Sequence, residues 1–261
     1  MAIPELSEQA LRAGLHTQFV GQHVQYFPVI SSTQNVAKEA AHHGAPEGAV
    51  FIADEQTEGH GRLARPWKAP QGTSLLLSVV LRPHPEIFPK LVIIGSLAVA
   101  LAIEEATGIR ADFKWPNDIL VHEKKVAGLL VEGEFQGDVP RFAILGIGIN
   151  VNLDPAMLGP EVLYPATSLM KETGEMVSRL ALAHSLLRNL ERIYVQARDG
   201  EPVHRLWHAR LSTLGKEVRI RQGNEIVEGI AEDVDIDGSL LLRGKDGVLI
   251  TVMAGDVTLQ A

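Results

Sequence analysis

A polar loop at residues 54–67 contains two arginines, Arg62 and Arg65, and two glycines, Gly59 and Gly61. Glycine lets the backbone approach a ligand without a Cβ in the way, and arginine donates several charge-assisted hydrogen bonds to an anion. These residue types therefore predict a site for a phosphate or an acyl phosphate. A Gly-x-Gly-Arg pattern also occurs in ordinary surface turns with solvated arginines, so the loop alone leaves both interpretations open.

A second group of polar residues, Ser32 and Thr33, follows the apolar run 24–30 and precedes a segment with helical spacing. A Ser/Thr group in this position is typical of a helix N-cap, and Ser31 with Gln34 matches the capping-box pattern. On local grounds the cap is the favoured interpretation. The alternative is that the hydroxyls and free N–H groups bind a polar part of a ligand.

The elements that must position these residues are predicted from the spacing of apolar side chains. Strands are predicted at 24–30, 49–53, 74–81, 119–121, 125–132 and 142–151. Helices are predicted at 5–13, 36–43, 91–107, 177–197 and 202–211. The last three strands are expected to be antiparallel neighbours. Gly146 and Gly148 lie inside one of them, which indicates that a ligand or another backbone comes close there.

The pattern changes at Gly215 to short alternating strands separated by tight turns, which predicts a small all-β barrel. We therefore expect two domains, 1–212 and 213–261. One further pair, His204 and His208, has the i, i+4 spacing of metal ligands. No third ligand accompanies the pair in the sequence, so an exposed helix face is favoured and no function is assigned to it.

Composition narrows the classes of function. The chain has 261 residues, 46% of them hydrophobic, and 24 Lys+Arg against 32 Asp+Glu, for a net charge of -8. That balance argues against a general nucleic-acid-binding surface. The absence of cysteine excludes disulfides, thiolate catalysis and Cys-based metal sites. The most apolar stretch, 91–103, is too short to span a bilayer, and no signal peptide is visible in 1–15, so a cytoplasmic protein is predicted.

Taken together, the motifs resemble those of the biotin protein ligases. In chain order they are Ser32-Thr33, the arginine loop, Lys114-Trp115-Pro116-Asn117-Asp118, Lys125-Val126-Ala127-Gly128-Leu129-Leu130-Val131-Glu132 and Gly146-Ile147-Gly148-Ile149-Asn150-Val151-Asn152, followed by the barrel-like tail. The resemblance implies an α+β catalytic domain with a mixed sheet, related in fold to class II aminoacyl-tRNA synthetases and lipoate ligases, followed by an SH3-like barrel. It also implies that biotin and ATP give biotinoyl-5'-AMP, from which biotin passes to a lysine of a biotin carboxyl carrier protein.

The resemblance also implies two groups of ligand-binding residues. Those for biotin are Ser32, Thr33, Gln56, Gly59, His60, Arg62, Lys125 and Gly128, the first three at the ureido ring. Those for ATP and the adenylate are Arg62, Arg65, Trp67, Lys114, Asn117 and Asn150, with Trp67 near the adenine. The backbone of Gly59 and Gly61 is expected to surround the acyl phosphate together with the two arginines.

Arg62, Lys125 and Asp118 are the candidate catalytic residues. Joining a carboxylate to the α-phosphate brings two anions together, so cationic donors must stabilise the charge that develops. Beside Lys124, Lys125 also fits a solvated hairpin lysine, and only the flanking motif favours the catalytic role. Asp118 is expected to orient or deprotonate the carrier lysine and to be a ligand of Mg²⁺, which binds mostly through substrate phosphates.

One residue departs from the family's usual Gly-Arg-Gly-Arg loop, because His60 takes the place of the first arginine. The usual bidentate contact is then lost, which predicts weaker or pH-dependent biotin binding. Too few residues precede Val24 for a helix-turn-helix module, so no DNA binding is expected. A lipoate or octanoate ligase of the same fold and a non-catalytic biotin or nucleotide sensor are the alternatives. Either a monomer or a homodimer fits the sequence.

Overall fold

The computed structural model of the protein describes residues 6–158, 164–222, 225–253 and 255–259. Its main sheet has seven strands: β1 Val24–Ile30, β2 Val50–Gln56, β3 Ser74–Leu81, β4 Asp112–Lys114, β5 Asp118–Val121, β6 Lys124–Gln136 and β7 Val139–Asn150. Their order across the sheet is β1-β2-β3-β7-β6-β5-β4. Only β1 and β2 pair in parallel, and the other neighbours are antiparallel, as expected for β5 to β7.

Six helices accompany this sheet in the described residues: α1 Glu8–Ala13, α2 Thr33–His42, α3 Leu91–Thr107, α4 Leu169–Thr173, α5 Arg179–Arg198 and α6 His204–His208. Helix α3 is apolar nearly all round because it is buried between the sheet and α5. It ends at Gly108, whose φ of +72° is the left-handed conformation that glycine adopts without a steric penalty. Helix α2 covers the opposite face of the sheet, where Ala37 and Ala41 pack on Phe51.

The tail forms a second, five-stranded antiparallel sheet. Its strands are β8 Glu217–Gln222, β9 Glu225–Val234, β10 Leu240–Arg243, β11 Leu249–Val252 and β12 Asp256–Leu259, in the order β11-β10-β9-β8-β12. Trp115 links the two sheets, because its backbone N–H donates to Thr213 Oγ1 and its indole N–H donates to the carbonyl of Gly238, both at 2.9 Å. The second sheet therefore packs against the motif that contains Trp115.

Some of the predicted helices and strands agree with the structure, and others are corrected by it. The strands at 24–30 and 74–81 and the helix at 91–107 are confirmed at both ends. The helix predicted at 202–211 is shorter, and α4 and β12 were not predicted. His208 Nε2 lies 2.9 Å from Asp233 Oδ1, so this histidine ties α6 to the second sheet. Among the described residues, no helix combines the length and hydropathy needed to cross a bilayer.

Candidate active site

A cavity of about 780 Å³ lies over the main sheet and brings the predicted site residues together. Its wall includes the predicted residues Ser32, Thr33, Gln56, His60, Gly61, Arg62, Arg65, Trp67, Lys114, Asn117, Asp118, Lys125, Gly128 and Asn150. Gly59 is the exception. A Cβ on Gly59 would lie 2.9 Å from the carbonyl oxygen of Trp67, and its own carbonyl accepts from the Trp67 N–H at 2.8 Å. Gly59 therefore closes the arginine loop on itself and is not among the residues that line the cavity.

One end of the cavity is lined by hydroxyl and amide groups. The backbone N–H of Thr33 donates to Gln56 Oε1 at 2.7 Å, and Thr33 Oγ1 lies 3.0 Å from the same oxygen. Ser78 Oγ lies 2.9 Å from Thr33 Oγ1. The predicted capping box is wrong: the N-cap is Ser32, and its side chain makes no capping hydrogen bond. Thr33 and Gln34 form hydrogen bonds with residues far away in the sequence instead, and local spacing cannot reveal such partners.

Two residues at this end, Gln34 and Ser78, were not predicted as site residues, and Gly146 was predicted only as a point of close approach. Gln34 is only 4% exposed, and Ser78 donates to its Oε1 at 3.1 Å. A Cβ on Gly146 would lie 2.5 Å from the same oxygen, so glycine is required for Gln34 to lie over β7. The glycine inside a strand was the available signal. It indicated a close approach, but the approaching group is a side chain and not a backbone.

The arginine loop is a tight turn held to both sheets. Gly61 N donates to the carbonyl of Arg65 at 2.8 Å, closing the turn around Leu63 and Ala64, whose φ values are +54° and +55°. Arg62 then spans the cavity mouth. Its Nη1 lies 3.4 Å from Asn117 Oδ1, and its Nη2 lies 3.2 Å from the carbonyl oxygen of Gly255. The C-terminal sheet therefore contributes directly to the placement of Arg62.

Lys125 and Asp118 form an ion pair in the cavity wall, with Nζ 2.5 Å from Oδ1. Their side chains are 27% and 19% exposed, so the pair is largely shielded from water and still reachable from the cavity. Gly128 lies opposite Asp118 in the β5–β6 register. A Cβ on Gly128 would lie 3.3 Å from Lys125 Nζ and 3.2 Å from the Trp67 ring, so this glycine leaves room for both side chains.

The indole ring of Trp67 packs against Gly148 and Gly128 of the central strands. A Cβ on Gly148 would lie between 2.7 and 3.0 Å from three indole atoms, and Lys125 Nζ is 5.5 Å from a Trp67 ring centroid. The indole Nε1–H is buried and has no hydrogen-bond partner among the described residues. As for Gly146, the protein group that approaches Gly148 is a side chain and not a backbone segment.

The remaining wall is formed by a segment that begins at Tyr164 and runs beside β6. Lys125 exchanges backbone hydrogen bonds with Pro165 and Thr167, at 2.8 and 2.9 Å. Lys114 is 7% exposed, and its Nζ lies 3.9 Å from the centre of the Tyr164 ring, a cation–π distance. Burial, together with nearby acidic charge, raises the pKa of the Tyr164 hydroxyl. No sequence signal indicated Tyr164.

Asn150 completes the same wall. It is 4% exposed, and its Nδ2 donates to the carbonyl of Thr167 at 3.0 Å. Asn117 is fixed in a similar way, because its Nδ2 donates to the carbonyl of Leu129 at 2.5 Å. Both amides therefore direct their oxygen atoms away from these carbonyls, and the Asn117 oxygen reaches Arg62.

The cavity changes character along its length. The hydroxyl and amide end is followed by an apolar middle, where Leu76 and Leu130 lie on the cavity face of the sheet. Leu77, Leu129 and Ile147 also border the cavity, but they alternate to the other face and their side chains belong to the core on the α3 side. The far end contains the cationic groups Arg62, Arg65, Lys114 and Lys125. A molecule with a neutral polar head, an apolar chain and an anionic terminus matches this sequence of environments. The cationic end has room for a second anion, so it could hold a carboxylate and a phosphate together.

Comparison with known proteins identifies the family to which the chain belongs. Residues 26–150 match the biotin/lipoate A/B protein ligase family, and residues 213–259 match the biotin protein ligase C-terminal domain. The bifunctional ligase/repressor BirA of Bacillus subtilis is 39% identical over 248 residues, which are 94% of this chain and 76% of that protein. The chain belongs to the biotin protein ligase family. The biotin--[acetyl-CoA-carboxylase] ligase of Mycobacterium tuberculosis is 33% identical over 97% of this chain and 96% of its own length.

Solved structures of the family share the fold. The biotin protein ligase from Aquifex aeolicus in complex with biotin and ATP superimposes with a TM-score of 0.77 at 28% identity, covering 92% of this chain and 99% of its own. The biotin protein ligase from Leishmania major in complex with biotinyl-5-AMP has a TM-score of 0.63 at 25% identity, covering 89% and 99%. The expected α+β fold, a mixed sheet with helices followed by a small β domain, is confirmed.

Proposed function

We propose that the protein is an ATP-dependent biotin–protein ligase that activates biotin as biotinoyl-5'-AMP and transfers it to a lysine of a biotin carboxyl carrier protein. The observation that carries this proposal is one cavity with a polar end at Thr33 and Gln56 and a cationic end at Arg62 and Lys125. The family membership and the relatives named above support the same activity.

Biotin fits the cavity with its ureido ring at the polar end. The ring presents one carbonyl acceptor and two N–H donors, which suit the amide and hydroxyls of Gln56, Thr33 and Ser32. The apolar middle then holds the valeryl chain, and the carboxylate reaches Lys125. ATP occupies the cationic end, with its phosphates near Arg62 and its adenine beside Trp67.

In the first step a carboxylate oxygen of biotin attacks the α-phosphorus, the bond to the β-phosphate breaks, and pyrophosphate leaves. Two anions meet in this step, so fixed cations lower the barrier most when they lie near both groups. Lys125, held by Asp118, is placed between the acyl and nucleotide ends, and Arg62 faces it from the loop. Arg65 and Lys114 add positive charge around the phosphates, and Asn117 and Asn150 supply neutral oxygen atoms.

Magnesium fits the nucleotide side of the cavity only as a phosphate-bound ion. Among the described residues, no group of three or more acidic or histidine side chains is placed to hold a metal ion. Asp118 and the oxygen atoms of Asn117 and Asn150 would be its protein ligands, with the remaining positions filled by phosphates and water. When bound, Mg²⁺ neutralises phosphate charge.

In the second step the neutral amine of the carrier lysine attacks the acyl carbon, the acyl–phosphate bond breaks, and AMP leaves. The amine must lose a proton, and Asp118 is the carboxylate beside the reacting centre that can accept it. The acceptor is a biotin carboxyl carrier protein, of the kind acted on by an acetyl-CoA-carboxylase ligase. The cavity mouth beside Arg62 is where such a carrier has access.

We assign the catalytic domain to residues 1–212 and the barrel to residues 213–261, and we place the enzyme in the cytoplasm with ATP and the carboxylase. The assignment of Arg62, Lys125 and Asp118 as catalytic is also part of this proposal. A monomer and a homodimer both fit it, and no DNA-binding role is included.

Transfer of labelled biotin to a purified biotin carboxyl carrier domain tests the complete reaction. We expect label on the carrier only when ATP, Mg²⁺ and the acceptor lysine are all present, and an acceptor with that lysine changed to arginine serves as the control. Label on lysines of unrelated proteins alone, or no transfer despite tight biotin binding, would contradict the proposal. The second result would favour the sensor.

A further inference from the structure

Four side chains form a continuous hydrogen-bonded chain behind the polar end of the cavity. Gln34 Nε2 donates to Glu132 Oε2 at 3.1 Å and to the carbonyl of Ile144 at 3.2 Å. On its other side, Gln34 Oε1 accepts from Ser78 Oγ at 3.1 Å. Ser78 Oγ in turn lies 2.9 Å from Thr33 Oγ1. The chain therefore runs from a carboxylate on β6 to the first residue of α2.

The chemistry of its members gives this chain a direction. An ionised carboxylate and a backbone carbonyl can only accept, so Glu132 and Ile144 fix the Gln34 amide with its nitrogen toward them. Gln34 Oε1 must then accept the single proton of Ser78. Since Ser78 has no second proton to give, the single proton of Thr33 is directed either to Ser78 Oγ, at 2.9 Å, or to Gln56 Oε1, to which Thr33 Oγ1 donates at 3.0 Å.

This direction determines what the cavity presents. Whether the Thr33 proton goes to Ser78 or to Gln56, it is used inside the protein, which leaves the Thr33 oxygen as an acceptor for the ligand. Gln56 Oε1 is occupied by the backbone N–H of Thr33 at 2.7 Å, which orients its Nε2 as a donor. An acceptor next to a donor matches the N–H and carbonyl of a ureido ring and matches neither an alkyl nor a dithiolane tail.

We propose that Gln34 is a specificity-determining residue of the acyl site and that Glu132 is the positioning residue that orients it. This inference rests on the proposed function. Thr33, Gln34 and Ser78 are 3%, 4% and 0% exposed, so a wrong head group that fills this end of the cavity leaves their hydrogen-bonding groups with little access to water. Unpaired buried polar groups discriminate between ligands more strongly than a poor apolar fit does.

The Gln34→Leu variant tests the role of Gln34, since leucine keeps much of the volume and removes the amide. Ser78 then loses the acceptor of its proton and turns to Thr33, occupying the oxygen that accepts the ureido N–H. We expect the KM for biotin to rise by about 10-fold to 100-fold, with the KM for ATP unchanged. The preference for biotin over lipoate should fall by the same factor.

Variants of Glu132 separate positioning from packing. Glu132→Leu should raise the KM for biotin by several-fold, and Glu132→Gln should restore most of that loss, because its amide oxygen still accepts from Gln34. Glu134 is the matched control on the same strand, since it pairs with Arg141 and His42 and not with Gln34. Glu134→Leu should leave both KM values unchanged.

The wild-type enzyme assayed in parallel distinguishes two kinds of failure. A wild type with no biotin-dependent turnover overturns the proposed function and this inference together. An active wild type with an unchanged KM for biotin in folded Gln34→Leu overturns this inference alone. An equal rise in the KM values for biotin and ATP, or a Glu132→Gln variant as impaired as Glu132→Leu, also contradicts it.

Discussion

The ammonium of Lys125 lies 2.5 Å from the carboxylate of Asp118, and both residues line the cavity. The two residues come from adjacent strands, and Gly128 opposite Asp118 leaves the space that the lysine chain occupies. The pair therefore holds a cation at the place where a carboxylate and a phosphate would meet. The proposed mechanism of adenylate formation depends on this position of Lys125.

Replacement of Lys125 by alanine should lower the rate of adenylate formation by about 10²-fold to 10³-fold, the range for losing one preorganised donor to developing charge. The fold should persist, because no backbone hydrogen bond of Lys125 depends on its side chain. Lys124→Ala is the control, since Lys124 is 49% exposed and pairs with Glu172 outside the cavity. Unchanged turnover of Lys125→Ala would remove this lysine from the mechanism.

A methyl group on Gly148 should displace the indole of Trp67. The Cβ of Gly148→Ala would lie 2.7 Å from the ring, which real contacts do not tolerate, so we expect a higher KM for ATP with little change in the KM for biotin. Trp67→Ala should also raise the KM for ATP. Because both changes act through one contact, the double variant should be no worse than Trp67→Ala alone. Fully additive effects would show that Gly148 acts by another route.

These residues also show how far the sequence could predict the site. Lys125, Asp118 and Arg62 lie in contiguous family motifs, which placed them in one site, and all three line the cavity; their catalytic roles stay a prediction. Gln34 was interpreted as a cap because its partner Glu132 is 98 residues away in the chain, and only the fold brings them within hydrogen-bond distance. Tyr164 could not be predicted, since its place depends on pairing of its segment with β6.

The same distinction between local and distant contacts applies to the prediction of the fold. Elements whose cause is local were predicted with their ends, as for α3, where a continuous apolar run stops at Gly108. Strand β12 was missed because its pairing with β8 is distant in sequence and its own pattern is short. The close approaches at Gly146 and Gly148 were predicted, but the identity of the approaching side chains depended on tertiary contacts.

Replacement of His60 by arginine should strengthen biotin binding. His60 lines the cavity, and its Nδ1 lies 3.3 Å from the carbonyl of Glu58, so its ring offers the ligand at most one hydrogen bond. Arginine at this position would offer several. We expect the dissociation constant for biotin to fall by about 3-fold to 10-fold in calorimetric titration. A weaker complex would mean that the histidine makes a contact that arginine cannot reproduce.

Glu172 should make stability depend on pH, because it anchors the segment beside Lys125. Burial raises its pKa, but hydrogen bonds from Thr167, His122 and Lys124 outweigh that effect, and the net pKa lies below the ordinary value of 4.5. A lowered folded-state pKa means stability that is present above the unfolded-state value and lost as the pH falls through the folded-state value.

The measurement for this prediction is the free energy of unfolding in urea. Glu172→Gln should be less stable than wild type at neutral pH, and the difference should shrink as the pH falls below 4.5. His122 also hydrogen-bonds Glu172 in this cluster, so His122→Gln is measured in parallel to separate its contribution. A difference that stays constant across this pH range would mean that the carboxylate charge is not what stabilises the segment.

Exchange of labelled pyrophosphate into ATP, dependent on the added acid, tests the central claim most directly. The assay is run with biotin, lipoate or octanoate, with and without Mg²⁺. We predict exchange with biotin and Mg²⁺ only, which would establish acyl-adenylate formation and the acid used. Exchange with lipoate or octanoate instead would assign the chain to the sister activity. No exchange with any acid, despite biotin binding, would contradict the proposed ligase activity and favour a non-catalytic biotin sensor.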